Sequence, residues 1–256
     1  MTVPRTQADA QDSRSLHERI AADLRAEIMA GDLAPGENLP STARLKERFE
    51  ASSATIQKAM QLLKDERLVI GRSGLAVIVR EHRQRTSRPA GLATRPVPAP
   101  RRPLVNSRRS EGQSRFLEVR ETVPPADISA AMNIQNGTAA LLRRHVLEVD
   151  GEPVELVKSY YPLELARGTA IMERRGLKGG TPALLAELGH PPRLSIDRVS
   201  ARVPTQEQYD ALRLPTSLPV LRTLRVVYSD HERPVEVTEL VKAGHLSETE
   251  YEFTPA

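Results

Sequence analysis

The chain has 256 residues, of which 39% are hydrophobic and 27% charged, which is enough for two domains with separate cores. The sequence contains no Cys, no membrane-spanning apolar run and no secretory signal, so we expect a cytoplasmic protein without disulfides, thiolate metal sites or membrane contact. The net charge of +4 is uneven: residues 81–112 carry eight Arg against two Glu, whereas residues 113–256 carry an acidic excess, which places a nucleic-acid surface in the N-terminal half.

The pattern along the chain predicts two folded domains joined by a linker. Residues 1–13 lack periodicity and are expected to form a disordered tail, whereas residues 14–80 carry helix and hairpin patterns. Residues 81–112 are rich in Pro and Arg without helical or strand periodicity, which is typical of a basic linker. Residues 113–256 alternate between strand and helix patterns and form the second domain.

The first domain is predicted to contain three helices followed by a hairpin. Apolar residues recur every four positions from Leu16 to Ile28, which indicates an amphipathic helix. Ser41 and Ser52 stand where the N-caps of a second and a third helix are expected. The segment Gly71–Gly74 then separates two short alternating runs, as the turn of a β-hairpin would. This order of elements predicts a winged helix-turn-helix domain.

The second domain is predicted to be an α+β fold built on one antiparallel sheet. Its clearest local signal is Asp150-Gly151, which favours a tight hairpin turn. Thr181 is expected to cap a helix that has Pro182 at its first position. Strands are expected over residues 115–123, 139–162, 193–204 and 219–244, and helices over residues 125–134, 163–172, 181–189 and 205–214.

Two motifs in the first domain carry a resemblance to a known family. Residues 31–41 read G-D-L-x-P-G-x-x-L-P-S, and residues 52–63 read S-x-A-T-I-x-x-A-M-x-x-L. With this spacing, residues 16–79 resemble the DNA-binding domain of GntR-type bacterial transcription regulators. The chain departs from the family at Ser53, where Arg is usual, and at Arg67, where Gly is usual.

The second domain resembles the UTRA domain of the HutC subgroup of these regulators. The resemblance implies a fold similar to that of chorismate lyase, dimerisation and binding of a small effector. It rests on five motifs that occur in the family's order: R-x-x-x-x-x-D-G-E-P at residues 144–153, S-Y-Y-P-x-x-L-A at 159–166, A-R-x-P-T at 201–205, L-P-x-x-x-P-V-L at 214–221 and R-P-V-E at 233–236.

The resemblance implies that the third helix lies in the major groove of double-stranded DNA. The N-terminus of that helix suits a phosphate, because its free N–H groups and dipole are positive. Gln57 suits the hydrogen-bonding edge of adenine, and the methyl group of Thr55 suits that of thymine. Lys58 could bind guanine or phosphate. The DNA-binding residues we predict are Ser41, Arg44, Ser52, Ser53, Thr55, Gln57, Lys58, Arg72, Ser73 and Gly74.

The UTRA resemblance also implies an effector site. Matching by motif, we predict that it consists of Arg144, His145, Ser159, Tyr161, Arg193 and Glu236. Arg193 suits a carboxylate or phosphate, and Glu236 suits hydroxyls or an amine, so we expect a small polar anionic metabolite. A structural ion pair between these two residues is the alternative. The six His residues are scattered without metal-ligand spacing, and we predict no metal, cofactor or catalytic residue.

These observations predict a transcription regulator, most simply a nucleoid-associated repressor. It would bind a palindromic operator as a homodimer and leave it when the effector binds. Two alternatives stay open at this point. One is a regulator with a degenerate effector site, since the sequence 106–116 shows no counterpart of a helix that usually covers it. The other is a chorismate-lyase-like enzyme in the second domain.

Overall fold

A computed structural model describes residues 12–71, 77–81, 85–87, 113–177, 179–215 and 218–251. The chain divides into two compact units, residues 1–85 and residues 86–256. The predicted tail lies almost wholly outside the described residues, as do most of the predicted linker and the wing residues Arg72, Ser73 and Gly74.

The first unit contains the three predicted helices and the hairpin. Its elements are α1 (Leu16–Ala30), α2 (Thr42–Phe49), α3 (Ser53–Asp65), β1 (Val69–Gly71) and β2 (Val77–Val79). Ser15, Ser41 and Ser52 are the N-caps of the helices, and Gly31 ends α1 with a left-handed φ of 95°. The core lies between α1 and α3, where Leu24 and Ile56 are fully buried.

The hairpin gains a third segment from the loop between α1 and α2. β1 and β2 pair antiparallel with Val69 opposite Val79, and Asn38 forms a bridge with Ile78 on the other edge of β2. β2 therefore pairs with the loop that carries the sequence motif at residues 31–41.

The second unit is built on one six-stranded antiparallel sheet, which confirms the predicted α+β fold. The strand order is β4-β5-β6-β9-β8-β7. Its strands are β4 (Gln113–Thr122), β5 (Ala140–Val149), β6 (Glu152–Pro162), β7 (Leu194–Arg202), β8 (Val220–Tyr228) and β9 (Pro234–Ala243). Asp150 and Gly151 both have positive φ, 54° and 75°, so they form the predicted tight turn between β5 and β6.

Helices cover both faces of the sheet. α4 (Ala126–Ala131) and α7 (Gln206–Leu212) pack on one face, where Ile128 and Leu212 contribute to the cores. α5 (Leu163–Ala166), a 3-10 helix (Ala170–Met172) and α6 (Gly180–Glu187) pack on the other face.

Two local predictions in this unit are wrong. The helix expected over residues 163–172 is interrupted, because Arg167 is extended and Gly168 has a left-handed φ of 73°. Thr181 does not cap α6: the N-cap is Gly179, and Thr181 lies inside the first turn. Positive φ at Gly179 and Gly180 lets the chain enter the helix two residues earlier than the cap signal indicates.

A short strand lies within the predicted linker. β3 (Arg85–Ser87) pairs with β10 (Ser247–Thr249) in a separate two-stranded sheet. The hydroxyl of Thr86 donates to the carboxylate of Glu248, so part of the predicted linker is ordered against the C-terminal strand.

Candidate functional sites: a DNA-reading helix and a polar cluster on the sheet

The N-terminus of α3 is shaped by the hydroxyl of Ser52. This N-cap has an extended backbone and accepts a hydrogen bond of 3.2 Å from the backbone N–H of Thr55. The two hydroxyl groups are also 2.9 Å apart, so the Thr55 hydroxyl is engaged in the cap. The remaining free N–H groups and the helix dipole make this end suitable for a phosphate.

The exposed face of α3 carries the predicted base-reading residues. Ile56, Ala59 and Leu63 are fully buried on the opposite face. Gln57 and Lys58 are exposed, and neither side chain is hydrogen bonded to another residue that the structure describes. Both groups are therefore available to a ligand without breaking a contact in the folded domain.

α2 contributes Ser41 and Arg44 beside α3. The hydroxyl of Ser41 accepts a hydrogen bond of 3.3 Å from the backbone N–H of Arg44, and both residues are exposed. Arg48 is less available, because its guanidinium binds Glu27 and lies 4.7 Å from the ring centre of Phe49.

The C-terminal end of α3 is fixed by an ion pair and a strained residue. Arg25 of α1 donates to Glu66 in two hydrogen bonds, one of them 2.7 Å, and Glu66 is only 5% exposed. Removing one partner of such a pair would leave a buried charge. The next residue, Arg67, has a left-handed φ of 59°, where the family usually has Gly. The pair sets the direction of α3 relative to α1.

A second group of polar residues lies on one face of the sheet in the other unit. Residues paired across neighbouring strands point to the same face; Arg143 pairs with Ser159, and Ser159 pairs with Thr238. Alternation along the strands adds further residues to this face. We call the group the Glu236 cluster, and it consists of Arg143, His145, Ser159, Tyr161, Glu236 and Thr238.

Hydrogen bonds join the centre of the Glu236 cluster. The hydroxyls of Ser159 and Thr238 are 2.8 Å apart, and the Thr238 hydroxyl donates to Glu236 Oε1 at 2.7 Å. Burial raises the pKa of Glu236, and hydrogen bonds with Thr238, Tyr161 and Ser159 oppose this shift. Burial likewise raises the pKa of the Tyr161 hydroxyl, and the neighbouring side chains of Thr181 in α6 and Ser159 oppose this shift. The cluster can therefore offer hydroxyl donors and acceptors to a polar ligand.

Arg143 is the cationic member of the cluster, and the motif matching did not select it. Arg143 is 4% exposed, and its guanidinium donates to backbone carbonyl oxygens rather than to a carboxylate. Burial lowers the pKa of Arg143, which remains charged. Strict alternation back from His145 would have found Arg143, because residues 143 and 145 point to the same face.

His145 lies beside Arg143 as a neutral group. Burial, and then the neighbouring charge of Arg143, lower the pKa of His145. Its ring centre is 5.3 Å from that of Phe116, and its buried Nδ1 has no hydrogen-bond partner among the described residues. An unpartnered buried ring nitrogen can bond a ligand at no cost to the fold.

Two predicted effector residues lie apart from the cluster. Arg144 points to the opposite face of the sheet, where its guanidinium binds Glu118 and Glu207. Arg193 is exposed at the sheet edge and binds Asp230 at 2.7 Å. It forms no ion pair with Glu236 within the described residues, so the structural ion pair that was the alternative for these two residues is absent there.

Arg225, a further cation on the cluster's face of the sheet, is neutralised by Asp197. Arg225 makes two hydrogen bonds to Asp197, of 2.8 and 2.7 Å. Within the described ranges, no group of three or more His, Cys, Asp or Glu is placed to hold a metal ion. None of the described helices is long and apolar enough to cross a membrane.

Comparison with known proteins gives two family matches. The model of the UTRA domain matches residues 107–245. The model described as bacterial regulatory proteins, gntR family, matches residues 16–79. Both matches agree with the resemblances in the sequence.

Whole-length relatives are transcriptional regulators by name. The chain is 27% identical over 252 residues to an uncharacterized HTH-type transcriptional regulator of Streptomyces coelicolor, covering 94% of this chain and 91% of the relative. It is 23% identical over 233 residues to the HTH-type transcriptional regulator GgaR of Escherichia coli, covering 89% and 86%. Over 70 residues, or 27% of this chain and 29% of the relative, it is 30% identical to the mannosyl-D-glycerate transport/metabolism system repressor MngR of Escherichia coli.

Solved structures share the fold. A crystal structure assigned to the GntR family of transcriptional regulators matches with a TM-score of 0.57 and 24% identity, over 95% of this chain and 99% of that chain. The crystal structure of PhnF from Mycobacterium smegmatis matches with a TM-score of 0.51 and 16% identity, over 92% and 100%. The comparisons thus favour a regulator over the chorismate-lyase-like enzyme.

Proposed function

The chain is a transcription regulator of the gntR family with a UTRA effector-binding domain, and from this premise we propose that it is a repressor released from a palindromic operator by a small polar anionic effector. A repressor acts on chromosomal DNA, so the same proposal places it at the nucleoid in the cytoplasm. The name of one relative, MngR, describes a repressor and supports this sign of regulation.

We propose that the operator is read by α3 from each subunit of a homodimer. A two-fold symmetric dimer presents two recognition helices to two half-sites, which is why a palindromic operator is expected. Support comes from the exposed side chains of Gln57 and Lys58, which are hydrogen bonded to no other described residue, and from the capped N-terminus at Ser52. We expect Arg44 of α2 and the N-cap Ser41 to contact the DNA backbone.

The observation that carries the effector proposal is the buried guanidinium of Arg143. A buried cation without a carboxylate partner is unfavourable, and an anionic ligand would relieve that cost through charge-assisted hydrogen bonds. The adjacent Ser159, Tyr161 and Glu236 supply donors and acceptors for hydroxyl groups. A small anion that also carries hydroxyls fits this combination.

Operator release tests the proposal directly. The operator would be selected from randomised duplex DNA, and a metabolite screen by thermal shift would supply the effector. Glu236→Gln should bind the operator with unchanged affinity and lose most of its response to the effector, because the ligand would lose its carboxylate acceptor. Arg144→Gln is the matched control, since Arg144 lies on the opposite face of the sheet.

Arg193→Ala separates the two assignments of the anion site. If Arg193→Ala abolishes release and Glu236→Gln does not, the effector binds at the sheet edge near Asp230 instead of in the Glu236 cluster. If no metabolite shifts the melting temperature and operator binding responds to none, the alternative of a degenerate effector site is favoured.

A further inference from the structure

Arg143 is bonded to a segment that passes over the sheet between two helices. We call residues 173–177 the strap; it follows the 3-10 helix Ala170–Met172 and leads to α6. Nη1 of Arg143 donates to the carbonyl oxygens of Ile171 and Glu173, and Nη2 donates to that of Arg175 at 2.8 Å. Three N–H groups of one buried side chain thus hold the strap and the residues just before it.

The strap has few other attachments. Ile171, which precedes it, is fully buried in the core beside α5 and α6. Arg174 donates to the carbonyl oxygen of Leu117 at 2.9 Å, at the irregularity in β4. Arg174 and Arg175 are themselves exposed. In the described part of the chain, the strap's hydrogen bonds to the sheet come only from Arg143 and Arg174.

Arg143 links the strap to the other members of the Glu236 cluster. Its charge interacts with Tyr161 and Glu236 on one side and with Glu173 on the other. A guanidinium has five N–H donors, and the carbonyls use three of them. The N–H of Nε and one N–H of Nη2 have no acceptor among the described residues, so the side chain can bind the strap and a ligand together.

We propose that Arg143 couples effector binding to closure of the strap: the guanidinium keeps its three carbonyl acceptors and donates its two remaining N–H groups to the anion of the effector. This inference rests on the proposed effector site in the Glu236 cluster. If the anion displaced the strap from Arg143, three carbonyl oxygens would lose their donor. If the anion instead accepts from the two remaining N–H groups, two hydrogen bonds form and no existing hydrogen bond breaks. An anion also neutralises the buried charge. The effector therefore holds the strap closed, and Arg143 acts as a positioning residue for it.

Hydrogen exchange of the strap amides tests the coupling in the full-length protein, with inorganic phosphate as the probe. Phosphate is titrated against chloride at constant ionic strength. At ten times its dissociation constant, phosphate should slow exchange of the amides of Met172 and Glu173, which donate to the carbonyl oxygens of Thr169 and Ala170, about tenfold, because the segment must release the ion in order to open. Unchanged or faster exchange in phosphate overturns the proposal, and faster exchange would indicate displacement.

Arg143→Gln isolates the link. Trypsin cleaves after Arg174 and Arg175, and removing the Arg143 hydrogen bonds should raise the cleavage rate there about tenfold, the factor that corresponds to about 1.4 kcal/mol. Phosphate should no longer protect the strap in this variant. Arg144→Gln, the neighbouring Arg on the opposite face, should behave as the wild type. If phosphate protects Arg143→Gln as well as the wild type, Arg143 is not the link.

Two further arms keep the result decisive. Should Arg143→Gln fail to fold, Arg143→Lys retains the charge but cannot bridge three carbonyls and an anion, so the strap should open faster and gain less protection from phosphate. Equal protection in Arg143→Lys overturns the bridge. Operator binding is measured in parallel. If the wild type binds the operator and responds to its effector while exchange in the strap does not change, only this inference fails. If operator binding of the wild type does not respond to any effector, the proposed function is contradicted.

Discussion

Replacing Gln57 by Ala should change which bases the protein prefers while leaving the fold intact. The side chain is exposed and bonded to no described residue, so its removal costs the folded domain little. A bidentate amide contact to adenine discriminates by about 1–3 kcal/mol at one base pair. The proposed homodimer would present α3 twice, so binding to a symmetric operator should weaken by about 2–6 kcal/mol. Selection from a randomised operator, followed by fluorescence anisotropy on the selected sites, measures both effects.

A matched control lies one turn further along the same helix. The amide of Gln61 donates to Asp65 at 2.8 Å, so Gln61→Ala should leave base preference unchanged. Lys58→Ala should weaken binding evenly across sequences and flatten the plot of log K against log salt by about 0.9 for each phosphate that the variant no longer neutralises. If Gln57→Ala and the wild type select the same operator, Gln57 does not read bases and only forms part of the solvated face.

Three further outcomes are expected. Replacing the Arg residues of 83–109 by Gln should lower operator affinity and the salt slope; an unchanged slope would show that this segment stays off the DNA. Arg67→Gly should stabilise the first unit by up to about 1 kcal/mol in urea unfolding, because Gly adopts the left-handed φ without strain; a decrease in stability would contradict this. Gly244→Ala should destabilise the second unit by about 1–3 kcal/mol, because a Cβ would lie 2.7 Å from the carbonyl oxygen of Pro219. Gly176→Ala, which meets nothing within 4 Å, is its control and should be neutral.

The first unit could be predicted closely because its signals are local. The N-caps of α2 and α3 are Ser41 and Ser52, as the sequence predicts. A cap needs only the backbone N–H groups of the next three residues. The predicted base-reading residues can then be chosen from helix periodicity, because the buried positions of α3 determine which positions face outward.

The Glu236 cluster was harder to predict than the first unit, because it depends on pairing between distant strands. Ser159 and Thr238 are 79 positions apart in the sequence and meet across β6 and β9. A motif match aligned on Arg144, but consecutive side chains of a strand point to opposite faces, so that match did not select Arg143, which shares a face with Ser159 and Thr238. The alternation of β5 does contain the signal, since Arg143 and His145 stand two apart.

Arg193 shows the limit of that reasoning. Alternation can assign a residue to one face of a strand, but it does not say whether the strand is central or at an edge. β7 is the edge strand of the sheet, and Arg193 just before it meets Asp230 instead of the central residues of β6 and β9.

The wrong prediction of Thr181 as a helix cap also affects how α6 meets the Glu236 cluster. A Thr before Pro182 is a strong cap signal, yet Gly179 and Gly180 start the helix earlier through their positive φ. A Thr that caps a helix uses its hydroxyl on its own backbone, whereas one inside the first turn keeps that hydroxyl for another partner. In the structure the Thr181 side chain lowers the pKa of the Tyr161 hydroxyl in the Glu236 cluster, against the larger effect of burial. The glycine pair thus moves Thr181 from the cap into the first turn beside Tyr161, so that α6, the helix that follows the strap, packs against the cluster to which Arg143 belongs.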